Sequence, residues 1–257
     1  DAFTFGNKEL SGFWYGKFEV GGTLASSCTN ETCNVSNIVV KPNMTSLRSQ
    51  KVSSYFFASR SMEQPNNSFG FINSEVDTHM SKNNEWGAVA YLTHSIYGRC
   101  TDSTTCTEVG INNNGSYITG YGAPAGSKYN DTNGAYNTSL GKDASTTKNI
   151  YGIYDMSGGA YEYVMGVYNK AIGYSGFSSL PDTKYYNNYT GSSYTGHALD
   201  ETAGWYSDDA YFPNMSVSWF LRGGHYGNST IAGVFDFHRG NCQLDSNYSS
   251  RFVITNE

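Results

Sequence analysis

Apolar residues recur at helical spacing between Glu75 and Gly98, where Trp86, Val89, Ala90 and Thr93 fall on one side of a helix with Leu92 and Ile96 beside them. Gly98 stands where a helix cap is expected. The preceding stretch, Phe71 to Lys82, is read as a separate short helix with a break at Asn83-Asn84, so two helices are drawn from residues 70 to 98. Elsewhere the pattern is one of short β-like runs broken by Gly, Asn and Ser clusters, as in Gly12 to Val20, Ile150 to Tyr154 and Tyr161 to Val167. Two stretches, Asn112 to Thr147 and Ala171 to Tyr194, have little periodicity and read as long polar loops, which are uncommon in a compact domain unless they are functional. Together these patterns predict an α+β chain of short, twisted, mainly antiparallel strands, two helices and much irregular loop.

Composition sharpens that picture. A chain of 257 residues with 38% hydrophobic content can bury a substantial core as one domain, 1–257. Charged residues make up only 15%, against roughly 25% in an ordinary domain, while Gly (29) and Tyr (22) are abundant. Tyr, Ser, Gly and Asn are the residue types of adaptable binding surfaces. A net charge of −6 without any Lys/Arg cluster argues against nucleic acid as a partner. No apolar run approaches the roughly 18 residues that span a bilayer, so direct membrane insertion is not expected.

Five cysteines are present. Cys28 and Cys33 lie close together in a polar stretch, as do Cys100 and Cys106, and each pair is placed to close a short loop as a disulfide. A zinc site built from both pairs is the alternative, disfavoured because neither spacing is that of a zinc ribbon and no His flanks either pair. Disulfides would put the chain in an oxidising, extracytoplasmic compartment: secreted, on a cell surface or in a phage virion. Cys242 is left over as an unpaired thiol.

The run from Asn149 to Tyr163 contains Tyr151-Gly152-Ile153-Tyr154-Asp155-Met156, then Gly158-Gly159, then Tyr161-Glu162-Tyr163. It resembles the central motif of the formylglycine-generating-enzyme/sulfatase-modifying-factor superfamily, with Gly159 in place of the usual Asn and Tyr161 and Tyr163 in place of two Trp. Supporting likenesses run in the same order along the chain: Phe13 to Val20 to the opening strand, Glu85 to Tyr91 to the first-helix signature, Phe220 to Tyr226 to the Arg-Gly-Gly motif, and Arg251 to the closing Arg. The resemblance implies a C-type-lectin-like fold. In the family, the turn matching Ser157 to Glu162 often binds calcium, so the resemblance implies a structural Ca2+ held by Glu162 with carbonyls of Ser157, Gly158 or Ala160, and no other cofactor.

The enzymes of that family hold copper through two cysteines that follow the Gly-Gly motif at fixed spacing. Running that spacing from Gly223-Gly224 lands on Asn228 and Gly233, neither of which offers sulfur to a soft metal. The five histidines show no metal-binding spacing, and no nucleophile elbow or P-loop occurs. No catalytic residue is therefore assigned. A residual oxidase is the least favoured reading.

Residues 219–253 carry a second resemblance. Trp219-Phe220, Arg222-Gly223-Gly224, Ala232-Gly233 and the alternating Phe235 and Phe237, followed by a Gly/Asn/Ser-rich loop to Arg251, are similar to the variable region of diversity-generating-retroelement target proteins. Those proteins display a hypervariable ligand-binding face on a lectin-like scaffold. The interleaved residues are of the types adenine replacement produces, and the resemblance implies that His225, Tyr226, Asn228, Ser229, Asp236, His238, Asn241, Asp245, Asn247 and Tyr248 form that face. Strand alternation would turn Phe235 and Phe237 inward and Asp236 and His238 outward, with Trp219 buried below. The expected function is a non-catalytic module binding a protein or glycan on another cell or surface, as part of a larger surface or virion assembly; a structural pilus or fibre subunit without a specific ligand is the alternative.

Overall fold

The computed structural model describes residues 2–24 and 28–256, an α+β arrangement with three α-helices in which one mixed sheet separates the two longer ones. The elements that position the site are β1 (Trp14–Tyr15), α1 (Val52–Ser61), β2 (Val76–Met80), α2 (Asn83–Thr93), β3 (Tyr161–Tyr168), β4 (Asn187–Tyr189), α3 (Ala198–Thr202), β5 (Trp219–Arg222), β6 (Phe237–Gly240), β7 (Tyr248–Ser250) and β8 (Phe252–Asn256).

β3 is the axis of the fold. Seven of its eight residues, Tyr161 to Val167, are buried, as expected of a strand paired on both sides and covered on both faces. β5 runs antiparallel along one edge, Leu221 opposite Tyr163 and Arg222 opposite Glu162, and passes the sheet on to β6. The other edge is shared by β7 at the start of β3 and β4 at its end, both parallel to it. The principal sheet is therefore mixed, where mainly antiparallel pairing was expected; long loops between the paired segments leave room for parallel returns. A second, antiparallel sheet joins β1, β8 and β2.

Alternation along β3 and β5 builds two cores. Tyr161, Tyr163, Met165 and Val167 with Trp219 and Leu221 point to the side of α1, where Tyr55, Phe56 and Ala58 meet them. Val164 and Phe220 point the other way and pack with Trp86, Val89 and Ala90 of α2 and with Phe235 and Phe237. Trp219 and Phe237, both fully buried, thus lie on opposite faces of one sheet.

Only one helix arises from residues 70 to 98. α2 matches the periodic Trp86, Val89, Ala90 and Thr93, which are all buried, and it is closed at its start by Glu85, which accepts the Lys82 backbone N–H at 2.8 Å. Phe71 to Lys82 instead contains strand β2. Asp77, Thr78 and His79 are polar yet buried, each satisfied by side chains of other elements, so the alternation of an ordinary strand is hidden. The second helix is α1. It is buried almost all round, and Ser59 and Ser61 return hydrogen bonds of 2.7 Å to Phe56 and Phe57 carbonyls, so a Ser-rich segment without an apolar stripe becomes helical through its surroundings. Ile150 to Tyr154 forms turns in place of the β-like run.

Gly87 lies within α2 at a position where an added Cβ would meet nothing within 4 Å. Gly87→Ala is accordingly expected to raise stability by about 0.5–1 kcal/mol through the lower entropy of the unfolded chain, read as a higher melting temperature. Cys28–Cys33 and Cys100–Cys106 are disulfides, and Cys242 is a free, buried thiol. Among the described residues, no helix is long and apolar enough to cross a membrane.

Candidate ligand-binding face

Tyr161, at the start of β3, gathers the predicted residues. Its ring stands 5.5 Å from that of His225, 5.7 Å from His238 and 6.0 Å from Tyr248. Sheet register explains the convergence: Tyr248 pairs directly with Tyr161, and His238 lies across Leu221 from Tyr163 on the opposite edge. Side chains two apart on a strand share a face.

The patch continues through Tyr226, whose ring is 5.2 Å from His225, 4.7 Å from Tyr117 and 4.8 Å from Tyr129. Tyr226 is fixed by its backbone N–H, which donates to the Gly159 carbonyl at 2.9 Å. The Tyr117 hydroxyl donates to the Asn247 side chain, and the Arg48 guanidinium lies 3.8 Å over the Tyr117 ring. Arg48 also holds the Ser246 carbonyl, and the Asn247 N–H donates to the Asp245 carboxylate at 2.7 Å, so the loop after β6 is tied to the patch. His225, Tyr226, His238, Asp245, Asn247 and Tyr248 are half-buried.

The remaining predicted residues have other places. Asp236 is fully buried, where exposure was expected. Alternation would need an extended chain from Phe235 onward, but β6 begins only at Phe237, and the Asp236 N–H closes a turn onto the Gly233 carbonyl at 3.0 Å. Asn228 uses its side chain to accept the His225 N–H at 2.7 Å, and the Ser229 hydroxyl donates to the Gly126 carbonyl at 2.6 Å; both shape the loop beneath the face. Asn241 is exposed past the end of β6 and accepts the Gln243 N–H at 3.1 Å.

Four contributors escaped the sequence reading: Tyr161, assigned to scaffold, and Tyr117, Tyr129 and Tyr211. Tyr211 lies 4.9 Å from the His238 ring. Tyr117 and Tyr129 belong to the long aperiodic loop already singled out as an element that needs a function; Tyr211 carried no signal.

Burial pushes His225 below the ordinary imidazole range, with only Asp245 opposing, so the ring is neutral near pH 7. Its Nδ1 accepts the Gly227 N–H at 3.1 Å, which leaves the proton on Nε2. The Tyr161 hydroxyl is held protonated by burial and by the neighbouring Asp236 and Asp209. The face therefore offers neutral ring surfaces and hydroxyl, amide and imidazole groups, a set suited to stacking and hydrogen bonding.

The calcium expected on Glu162 with Ser157, Gly158 and Ala160 does not fit the donors present. Both Glu162 oxygens accept from the Arg251 guanidinium, at 3.1 and 2.5 Å, and the Ser157 carbonyl accepts the Asn112 N–H at 2.8 Å. A cation there would meet the Arg251 charge directly. A zinc site from the cysteine pairs is likewise absent among the described residues, because the Cys100 and Cys106 sulfurs beside His94 are bonded to each other.

A larger apolar groove of about 640 Å3, lined by Trp14, Leu92 and Tyr97 among others, shares no residue with this face. No family model matches the chain, and no curated protein matches it.

Proposed function

We propose that this chain is a non-catalytic, extracytoplasmic ligand-binding module on a C-type-lectin-like scaffold, with its recognition face centred on Tyr161 and built by residues 225–248. One observation carries the reading: residues His225, Tyr226, His238, Asn247 and Tyr248 meet through the ring contacts of Tyr161 and Tyr117 although more than twenty positions separate the first from the last. The aromatic and short polar composition of the patch supports it, since such side chains lose little rotamer entropy on binding. The two disulfides favour an oxidising compartment. The diversified character of 219–253 belongs to the same reading, and it places variable codons at Tyr226, His238, Asn247 and Tyr248 while the buried Asp236, Phe235, Phe237 and Trp219 stay constant.

The test is a combined His225→Ala, Tyr226→Ala, His238→Ala and Asn247→Ala variant. Half-buried positions outside the core leave most of the melting temperature in place, because truncation of a core Phe, at about 3–5 kcal/mol, is what unfolds a domain. Binding to a panel of immobilised glycans and cell-surface proteins is expected to fall at least 100-fold for whichever member the parent chain captures. Retained binding, or loss of the fold, would sink the reading.

A further inference from the structure

A second place in the molecule has the makings of a binding site. Between α2, α3 and β5 lies a cavity of about 320 Å3 lined by Gly87, Tyr91, Tyr189, Leu199, Arg222 and Phe235 among others. At this volume it falls at the small end of ligand pockets. It shares none of these residues with the face around Tyr161.

Arg222 is the unusual member. It is 1% exposed, and its Nε and Nη1 have no hydrogen-bond partner. The guanidinium lies near the Trp86 and Phe237 rings, 5.7 and 5.9 Å from their centroids, and neither ring can accept a conventional hydrogen bond from Nε or Nη1. Buried cations are ordinarily paired, and an unpaired N–H group is costly in a dry interior. The acid that acts on it most strongly is Asp236, whose two oxygens are also buried without a side-chain hydrogen-bond partner. Burial raises that carboxyl above its ordinary range despite the pull of Arg222.

A second donor points the same way. The Tyr189 hydroxyl accepts from Asn83 Nδ2 at 2.6 Å, so its own proton is free to be given to another group. The first residues of α2, Asn83 and Asn84, line the same cavity and bring the positive end of the helix dipole toward it. Around these donors the walls are apolar or aromatic, with Leu199, Tyr91 and Phe235.

We propose that this cavity binds a small aromatic carboxylate, whose carboxylate accepts from Arg222 and Tyr189 and whose ring lies among Tyr91, Leu199 and Phe235. An acceptor-only anionic head matches the unsatisfied Arg222 N–H groups and the free Tyr189 proton, while the unpartnered Asn83 Oδ1 at the same wall is an acceptor. The site is independent of the Tyr161 face.

Calorimetry with benzoate and 3-phenylpropionate, with benzyl alcohol as the uncharged control, tests the proposal. The acids are expected to bind with Kd below about 1 mM, at least ten-fold tighter than the alcohol. Substitution of Arg222 itself risks the fold, so two other variants carry the test. Gly87→Phe, whose Cβ enters open space, fills the cavity and should weaken the acids at least ten-fold; Tyr189→Phe removes one donor and should weaken them about three- to ten-fold. The Nε–Hε resonance of Arg222 in 15N-arginine-labelled protein should move on addition of benzoate. The four-fold face variant should bind the acids as the parent does, which separates this site from the proposed recognition face. No heat with an unmoved Arg222 resonance, equal affinity for benzyl alcohol, or undiminished binding by Gly87→Phe would each overturn the proposal.

Discussion

Replacing Arg251 by leucine is expected to cost about 3–5 kcal/mol near pH 8 and distinctly less near pH 5. Arg251 is fully buried, holds Glu162 through two hydrogen bonds of 3.1 and 2.5 Å, and donates to the Gly16 and Tyr154 carbonyls at 2.6 and 2.9 Å. Glu162 and Asp155 are buried within its influence and Glu19 is buried beside those two acids, so one guanidinium offsets a cluster of three carboxyls only in part. Burial pushes Glu162 up to about 7 even with Arg251 beside it, raises Asp155, and raises Glu19 well above the carboxylate range, the last helped by Asp155 and Glu162. A carboxyl whose value is raised by folding favours the fold below its unfolded value, near 4 to 4.5, and loses that contribution as pH climbs through the folded value. Without Arg251 these acids become harder still to ionise in place, so the deficit of the variant grows with pH. Urea melts of both proteins at pH 5, 6.5 and 8 check it. A deficit that does not vary with pH would mean that Arg251 acts by packing alone.

His79→Leu is expected to remove about 3 kcal/mol near pH 6 and to abolish a pH dependence that the parent chain shows. The His79 ring is fully buried, 3.0 Å from Asp77 through Nδ1 and 3.0 Å from Glu85 through Nε2, and stacks on Phe5 at 4.8 Å. Burial alone would lower its pKa, but Glu85 and then Asp77 outweigh it and the net direction is upward. Burial tends to raise Asp77 too, yet His79 and Arg60 bring it down to about 2; Glu85 also ends below its ordinary range, with His79 the chief opposing influence to burial. The imidazolium contribution is complete below the unfolded value near 6.5 and is lost as pH rises through the raised folded value. The carboxylate contributions are present above about 4 to 4.5 and are lost as pH falls through the lowered ones. Stability from this cluster therefore peaks between about pH 4.5 and 6.5. Urea midpoints across pH 4 to 9 should decline on the alkaline side for the parent and stay flatter for His79→Leu. A parallel decline in both would show that His79 is neutral in the fold.

Those two buried clusters also explain where sequence reading stopped. β2 was read as helix because Asp77, Thr78 and His79 do not alternate with apolar residues, and nothing local indicates that Arg60, Glu63, Glu85 and Tyr185 arrive from other elements to satisfy them. α1 was missed for the converse reason: surrounded by core on nearly every side, it has no polar stripe to set a period. Asp236 was placed outside by alternation that the turn at Gly233 interrupts. Glu162 carried the family resemblance toward calcium, and only its distance to Arg251 shows that its oxygens are already engaged.

What the sequence determined by itself was whatever depends on neighbours along the chain. The periodic face of α2, the apolar run of β3 and the two short disulfide loops are local, because helix and strand spacing and short-loop closure are set within a few residues. The tertiary structure alone decided everything that requires distant segments to meet. It placed Tyr117 and Tyr129 from one loop, Tyr161 from the central strand and His225, Tyr226, His238 and Tyr248 from the end of the chain on one patch, and it left Nε and Nη1 of Arg222, a residue that lines a cavity, without an acceptor. The physical reason is that burial and pairing, which set the charge state and the availability of a side chain, are properties of the packed neighbourhood and not of the residue.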